Sequence, residues 1–169
     1  EQLKKIADKY DVFYARKFVT DGVGKKPEYE IDFIVAIPEV ALVCIEVKGG
    51  VIQYSGQKDE WTQNKRIMTK RPDSQATSAA HSLAKGYTDL IGGMPVGWAL
   101  CFPDCQMQSP ANLPSSIAEE QLIDQLHLLH LDKSLSVYFD FLKQQYPTRN
   151  GVRKWMYEKF KNKLLRNNS

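Results

Sequence analysis

The segment EYEIDFIVAIPEVALVCIEVKGG, residues 28–50, sets Glu28, Glu30, Asp32, Glu46 and Lys48 at the edges of some of the most apolar sequence in the chain. Unpaired charge taken out of water costs several kcal/mol, so charges beside core strands ask for a reason. In a strand, residues two apart share a face. Glu46 and Lys48 therefore point the same way, and Val47 points away. Asp32 lies on the preceding strand, and the turn decides where it points. A two-residue turn at Pro38-Glu39 sets Ile31 opposite Glu46 and turns Asp32 to the other face. A three-residue turn at Pro38-Glu39-Val40 pairs Ile37 with Ala41 and sets Asp32 opposite Glu46; a bulge restores the same alignment. We expect one of the latter two.

Facing carboxylates repel and raise at least one pKa, a conflict that a divalent cation between them removes. Oxygen ligands without His or Cys suit Mg²⁺ or Mn²⁺. A lysine beside such a metal orients or deprotonates an attacking water and holds a phosphate. Together these groups are equipped to hydrolyse a phosphodiester. The competing reading is a structural ion pair at a sheet end, since such networks mimic sites. Glu28 and Glu30 are expected in solvent at the strand start, with Glu30 on Asp32's face as a substitute ligand.

These residues need a sheet to hold them. EQLKKIADKY reads as a short amphipathic helix, DVFYARKFVT as a strand, and DGVGKKPE as a loop. Two strands follow at about 29–37 and 41–48, and Gly49-Gly50 ends the second. VIQYSG reads as a further short strand, whereas QKDEWTQNKRIMTKR has no clear period. RPDSQATSAAHSLAKGYTDLIGG carries helix punctuation, with Pro72 and Asp73 or Ser74 at its start and Gly92-Gly93 at its end. Its small stripe suits close packing on a sheet. PVGWALCFP is apolar on both faces, so a strand, a helix and this strand suggest a crossover with a parallel pair. SSIAEEQLIDQLHLLHL reads as a capped amphipathic helix, with Ser116 three residues before Glu119. Helices through SVYFDFLKQQY and VRKWMYEKFKNKLL close the chain.

The 169 residues suit one domain, and 43% hydrophobic content supplies a sizeable core. No apolar run reaches the length of a membrane span, and no signal peptide is visible. Cys44 and Cys101 read as buried small hydrophobes and Cys105 as a loop residue. An odd count without framework spacing argues for a reducing, cytoplasmic setting. The net charge of +3 is uneven: residues 143–169 hold eight basic residues against Glu158, a net of +7, and the rest of the chain sums to −4. An acidic body with a basic end suggests a polyanionic partner. Arg153, Lys154 and Lys161 are the candidate nucleic-acid contacts, against the alternative that they solvate a helix whose Trp155, Met156, Phe160 and Leu164 pack inward. His127 and His130 lack a third ligand and read as ordinary histidines. Trp61 is expected to pack rather than to stack on bases.

The Asp…Glu-x-Lys pattern of Asp32, Glu46 and Lys48 resembles the PD-(D/E)xK nuclease superfamily. The order EIDFIV, CIEVKGG, Trp61, RPDSQ and GWALCFP is closer still to the nuclease-related domain, over about residues 1–104. The resemblance implies a restriction-endonuclease-like α/β core: a central mixed β-sheet flanked by α-helices, here with extra C-terminal helices. It implies Asp32, Glu46 and the Val47 carbonyl as ligands of Mg²⁺ or Mn²⁺, with Lys48 as the catalytic lysine. Gln75 resembles the family's glutamine, and Glu1 the acidic residue of its first helix. Where the family often has Asn before the proline, this chain has Arg71. The implied activity is metal-dependent DNA hydrolysis, as a deoxyribonuclease leaving 5′-phosphates, with RNA left open. The rival is a non-catalytic nucleic-acid-binding module of a larger helicase-containing or DNA-processing protein. The expected organisation is a nuclease-related domain over 1–146 and a basic helical segment over 147–169, packed on that domain or leading to another.

Overall fold

Alternating and doubly apolar runs form the sheet, and small or amphipathic stripes form the helices that cover it. The computed structural model describes residues 1–6, 8–19, 28–107 and 113–166, with only the backbone described at 15–19, 28 and 29. Of the loop expected over 21–28, residues 21–27 lie outside the described residues, as do Ala7 and the Glu28 side chain.

Strands β1 (Asp11–Val19), β2 (Glu28–Ile37), β3 (Ala41–Val47), β7 (Val96–Phe102) and β8 (Leu122–Asp124) form one mixed sheet in the order β1-β2-β3-β7-β8. The β1–β2–β3 meander is antiparallel, and β3–β7 and β7–β8 are parallel. The parallel β3–β7 pair encloses the expected crossover, made by α2 (Pro72–Gly86) and the single turn α3 (Thr88–Ile91). Ala79, Ala80 and Leu83 of α2 pack on Ile34, Ala36, Leu42 and Cys44, together with Tyr157, Phe160 and Leu164 of α6 (Lys154–Arg166). The opposite face, with Val35, Val43 and Ile45, is covered by Leu135, Tyr138, Phe139 and Leu142 of α5 (Leu131–Gln145) and by Ile6 after α1 (Gln2–Lys5). Cys44 and Cys101 are buried free thiols, both pushed up to about 12 by burial.

The segment over 57–71 that lacks a clear period turns out to be built around a small second sheet. There β4 (Ile52–Ser55), β5 (Glu60–Gln63) and β6 (Arg66–Ile67) pair antiparallel in sequence order. Trp61 is buried against Ala76, Leu100 and Phe102, so it packs as expected.

The structure corrects the expected helix over SSIAEEQLIDQLHLLHL. Glu119–Gln121 form a 3-10 turn, Leu122–Asp124 form β8, and only Gln125–Leu128 form a helix, α4. Edge pairing to β7 captures the buried Leu122 and Ile123, so the sheet overrides the local helical period. The cap is Asp124 rather than Ser116: its carboxylate accepts from the Leu126 and His127 amides.

The hairpin that sets the register has the three-residue turn. Ile37 pairs with Ala41. The Val40 amide donates to the Ile37 carbonyl at 2.9 Å, Pro38 leads the turn and Glu39 takes φ 71°. That is type II geometry, with Pro where φ is fixed and a left-handed residue after it. Glu39 is held there from outside, because its carbonyl accepts from the Val152 amide at 2.8 Å.

Candidate active site

From Ile37↔Ala41 the β2–β3 ladder runs to Phe33↔Ile45 and stops. The next step sets Asp32 opposite Glu46, where the strands part. The Val47 amide donates to Asp32 Oδ2 at 2.8 Å instead of to a strand carbonyl. Asp32 thus sits across from the Glu-x-Lys tripeptide with its carboxylate anchored. Glu46 is only 7% exposed, and Lys48 Nζ lies 3.2 Å from Glu46 Oε1. Burial raises the Glu46 carboxyl above the usual glutamate range. Repulsion from Asp32 adds to that, Lys48 opposes it, and Glu30 contributes a smaller push.

The same sheet face carries α2. Ala79 packs with Cys44, and Ala76 with Leu100, the partner of Glu46 across β3–β7. The crossover runs α2 against the direction of β3. Stepping back one turn from Ala79 to Gln75, ~6 Å, therefore matches stepping forward from Cys44 to Glu46, ~6.7 Å. Gln75 Oε1 is buried and has no hydrogen-bond partner. A buried acceptor without a donor calls for a water or a ligand proton at that spot.

Among the described residues, no three His, Cys, Asp or Glu side chains gather to hold a metal. The donors on hand are two carboxylates and what the main chain supplies. That set fits Mg²⁺ or Mn²⁺, which keep several waters and use one or two carboxylates. Asp32 Oδ2 is held by Val47, which leaves Oδ1 to face a cation, and the anchoring amide orients it as outer-shell partners do.

A family model of the nuclease-related domain matches residues 1–103. The chain belongs to this family. No curated protein and no solved structure matches it. The nuclease-related match includes Asp32, Glu46, Lys48 and Gln75, and ends one residue after β7. Strand β8 and helices α4 to α6 lie beyond it.

Other sequence candidates fall elsewhere. Glu1 is an exposed N-cap of α1 without a capping hydrogen bond, and nothing among the described residues ties it to Asp32, Glu46 or Lys48. Arg153 and Lys154 follow Val152, which is bonded at the Glu39 turn. Five residues of β2, ~17 Å, separate that turn from Asp32. Lys161 is engaged by Asp11 at 3.3 Å and by Glu158 at 3.9 Å. His127 Nδ1 lies 2.7 Å from Asp124 Oδ1, within the cap of α4.

Sequence reading missed the shell around Lys48. Asp104 Oδ2 accepts from the Gly50 amide at 2.7 Å, Asn64 Oδ1 from the Val51 amide at 2.9 Å, and the Gly49 carbonyl from Gln63 Nε2 at 2.8 Å. Gly50 has φ 80°, a conformation L side chains rarely adopt, and an added Cβ would lie 2.7 Å from the Asn64 side-chain amide, which would have to move. Arg71 reaches Asp73 through both Nε and a terminal nitrogen, and Asp59 at 2.9 Å, tying the β4–β5 hairpin to the start of α2. The signal for the β5–β6 turn was Asn64, which favours positive φ; Lys65, standing where glycine is preferred, hid it.

Proposed function

We propose that this nuclease-related domain is a metal-dependent nuclease that hydrolyses phosphodiester bonds in DNA. The observation that carries the reading is the meeting of Asp32, Glu46 and Lys48 at the parting of β2 and β3. Asp32, Glu46 and the Val47 carbonyl would hold Mg²⁺ or Mn²⁺. The bound ion would polarise the phosphoryl group and lower the pKa of a water.

The chain's own residues do the rest. Lys48 lies beside Glu46 with its side chain about one-fifth exposed, which supports a role in holding a non-bridging phosphate oxygen and orienting the attacking water. Gln75 Oε1 offers an acceptor that positions a water proton. The water oxygen bonds to phosphorus and the 3′ oxygen leaves with a proton, giving 5′-phosphate and 3′-hydroxyl ends.

The test is cleavage of plasmid and oligonucleotide DNA in Mg²⁺ or Mn²⁺. Wild type should cut, whereas Asp32→Asn and Lys48→Ala should lose at least a hundredfold in rate while keeping the wild-type circular dichroism spectrum. A pure protein that binds DNA and never cuts with either metal is the non-catalytic module instead.

A further inference from the structure

Beside Lys48 lies an open cavity of about 590 Å³, lined by Lys48, Arg66, Lys70, Ile67 and Met68 among others, with no acidic residue in its wall. Among the described residues no carboxylate pairs with Arg66 or Lys70. Such uncompensated cations lower the potential energy of a polyanion laid along the groove. Ile67 is 64% exposed, lines the same cavity, and falls between Arg66 and Lys70 in the sequence. A duplex presents phosphates outward and keeps its base faces stacked. A single strand offers phosphates to the cations and an apolar base face to Ile67 and Met68.

The platform is tied together by its own backbone hydrogen bonds. The Asn64-Lys65 turn has φ 50° and 68°, with Gln63 paired to Arg66 and Thr62 to Ile67. The Asn64 amide donates to the Val51 carbonyl, and the Met68 amide to the Trp61 carbonyl, both at 2.9 Å. Buried Trp61 anchors the small sheet to Phe102, with ring centroids 5.8 Å apart. The groove is therefore formed before any ligand arrives, which reduces the ordering that binding must impose.

We infer that the β5–β6 hairpin holds a single-stranded stretch of nucleic acid, with Arg66 and Lys70 on phosphates next to the one delivered to Lys48 and Ile67 against an unpaired base. This rests on the nuclease reading for the role of Lys48, and the groove itself is testable without cleavage.

The experiment measures anisotropy of a fluorescein-labelled oligonucleotide, single-stranded or in duplex, against salt in chelator. The single strand should bind wild type more tightly than the duplex. Arg66→Ala/Lys70→Ala should lower the slope of log affinity against log salt by about 1.4, two phosphates at ~0.7 each. Ile67→Ala should weaken single-strand binding without changing the slope. Arg153→Ala/Lys154→Ala should leave both unchanged. Exposed side chains are replaced throughout, so matching melting curves check the fold. An unchanged slope in Arg66→Ala/Lys70→Ala, a preference for duplex, or a loss that follows Arg153 and Lys154 overturns the inference. A chain that binds through this groove and never cuts overturns the nuclease reading alone. One that cuts with the KM and slope of Arg66→Ala/Lys70→Ala unchanged overturns the groove alone.

Discussion

Replacing Asp32 by alanine and by asparagine separates two jobs of this carboxylate. One, on the proposed reading, would be to ligate; the other is to accept the Val47 amide at 2.8 Å where the β2–β3 ladder has ended. A hydrogen bond to a charged acceptor is worth about 1.5–3 kcal/mol, and an amide left without a partner costs about 1–3 kcal/mol. Repulsion between Asp32 and buried Glu46 offsets part of this in chelator, because either substitution removes it. The expected net loss for Asp32→Ala is about 1–2 kcal/mol. At ~2–4 °C per kcal/mol for a chain of this size, melting should fall by ~2–8 °C. Asp32→Asn keeps an acceptor and drops the repulsion, so it should melt at or above wild type. Both variants should be inactive. The assay is thermal unfolding by circular dichroism in chelator, beside cleavage in Mg²⁺. An alanine variant melting as high as the asparagine variant would refute the argument that this amide bond holds the strand end.

Glu46 sets a pH dependence. Its folded carboxyl sits above the ordinary glutamate range, chiefly through burial and then through Asp32. The stability that the protonated form contributes is present below the unfolded value and lost as pH rises through the raised one. In chelator the melting temperature should fall with pH across that window, and Glu46→Gln should flatten the fall; a variant with the wild-type slope would exclude Glu46 as its source. Stabilisation by added Mg²⁺ should instead grow with pH, since a cation binds the ionised form. At Gly97 in β7, an added methyl runs into the buried hydroxyl of Tyr138 and lies 2.9 Å from Leu142 Cδ1. Gly97→Ala should lose about 1–3 kcal/mol in denaturant unfolding through overpacking. Tyr138→Phe in the same chain should return part of that; equal midpoints for wild type and Gly97→Ala would contradict the packing.

The catalytic candidates were legible because strand alternation is a rigid rule. Once Ile37 pairs with Ala41, the positions of Asp32 and Glu46 follow by counting. The helix α2 was legible for a similar reason: Pro72 and the alanine stripe have few alternatives. Strand β8 was not legible, because Leu122 and Ile123 become strand only when β7 offers its edge, and nothing local announces that. The groove is not legible in the sequence, because its cations are spread over Lys48, Arg66 and Lys70, which a turn folds together. The basic run at the C-terminus is legible because its charges are contiguous in sequence, and the structure sets its first residues beside the Glu39 turn.

The turn at Pro38-Glu39-Val40 works as a spatial reading frame. Adding or deleting one residue there would leave two good strands and a good hairpin, yet every side chain of β2 would change face relative to β3. The frame is also clamped from far along the chain, at Val152. Residues outside the family match therefore help keep Asp32 in phase with Glu46. In this hairpin the proposed chemistry is sensitive to length before it is sensitive to identity. Many substitutions in the turn are expected to be silent, while a single insertion, ~17 Å from the nearest carboxylate of the pair, would dismantle the site without touching it.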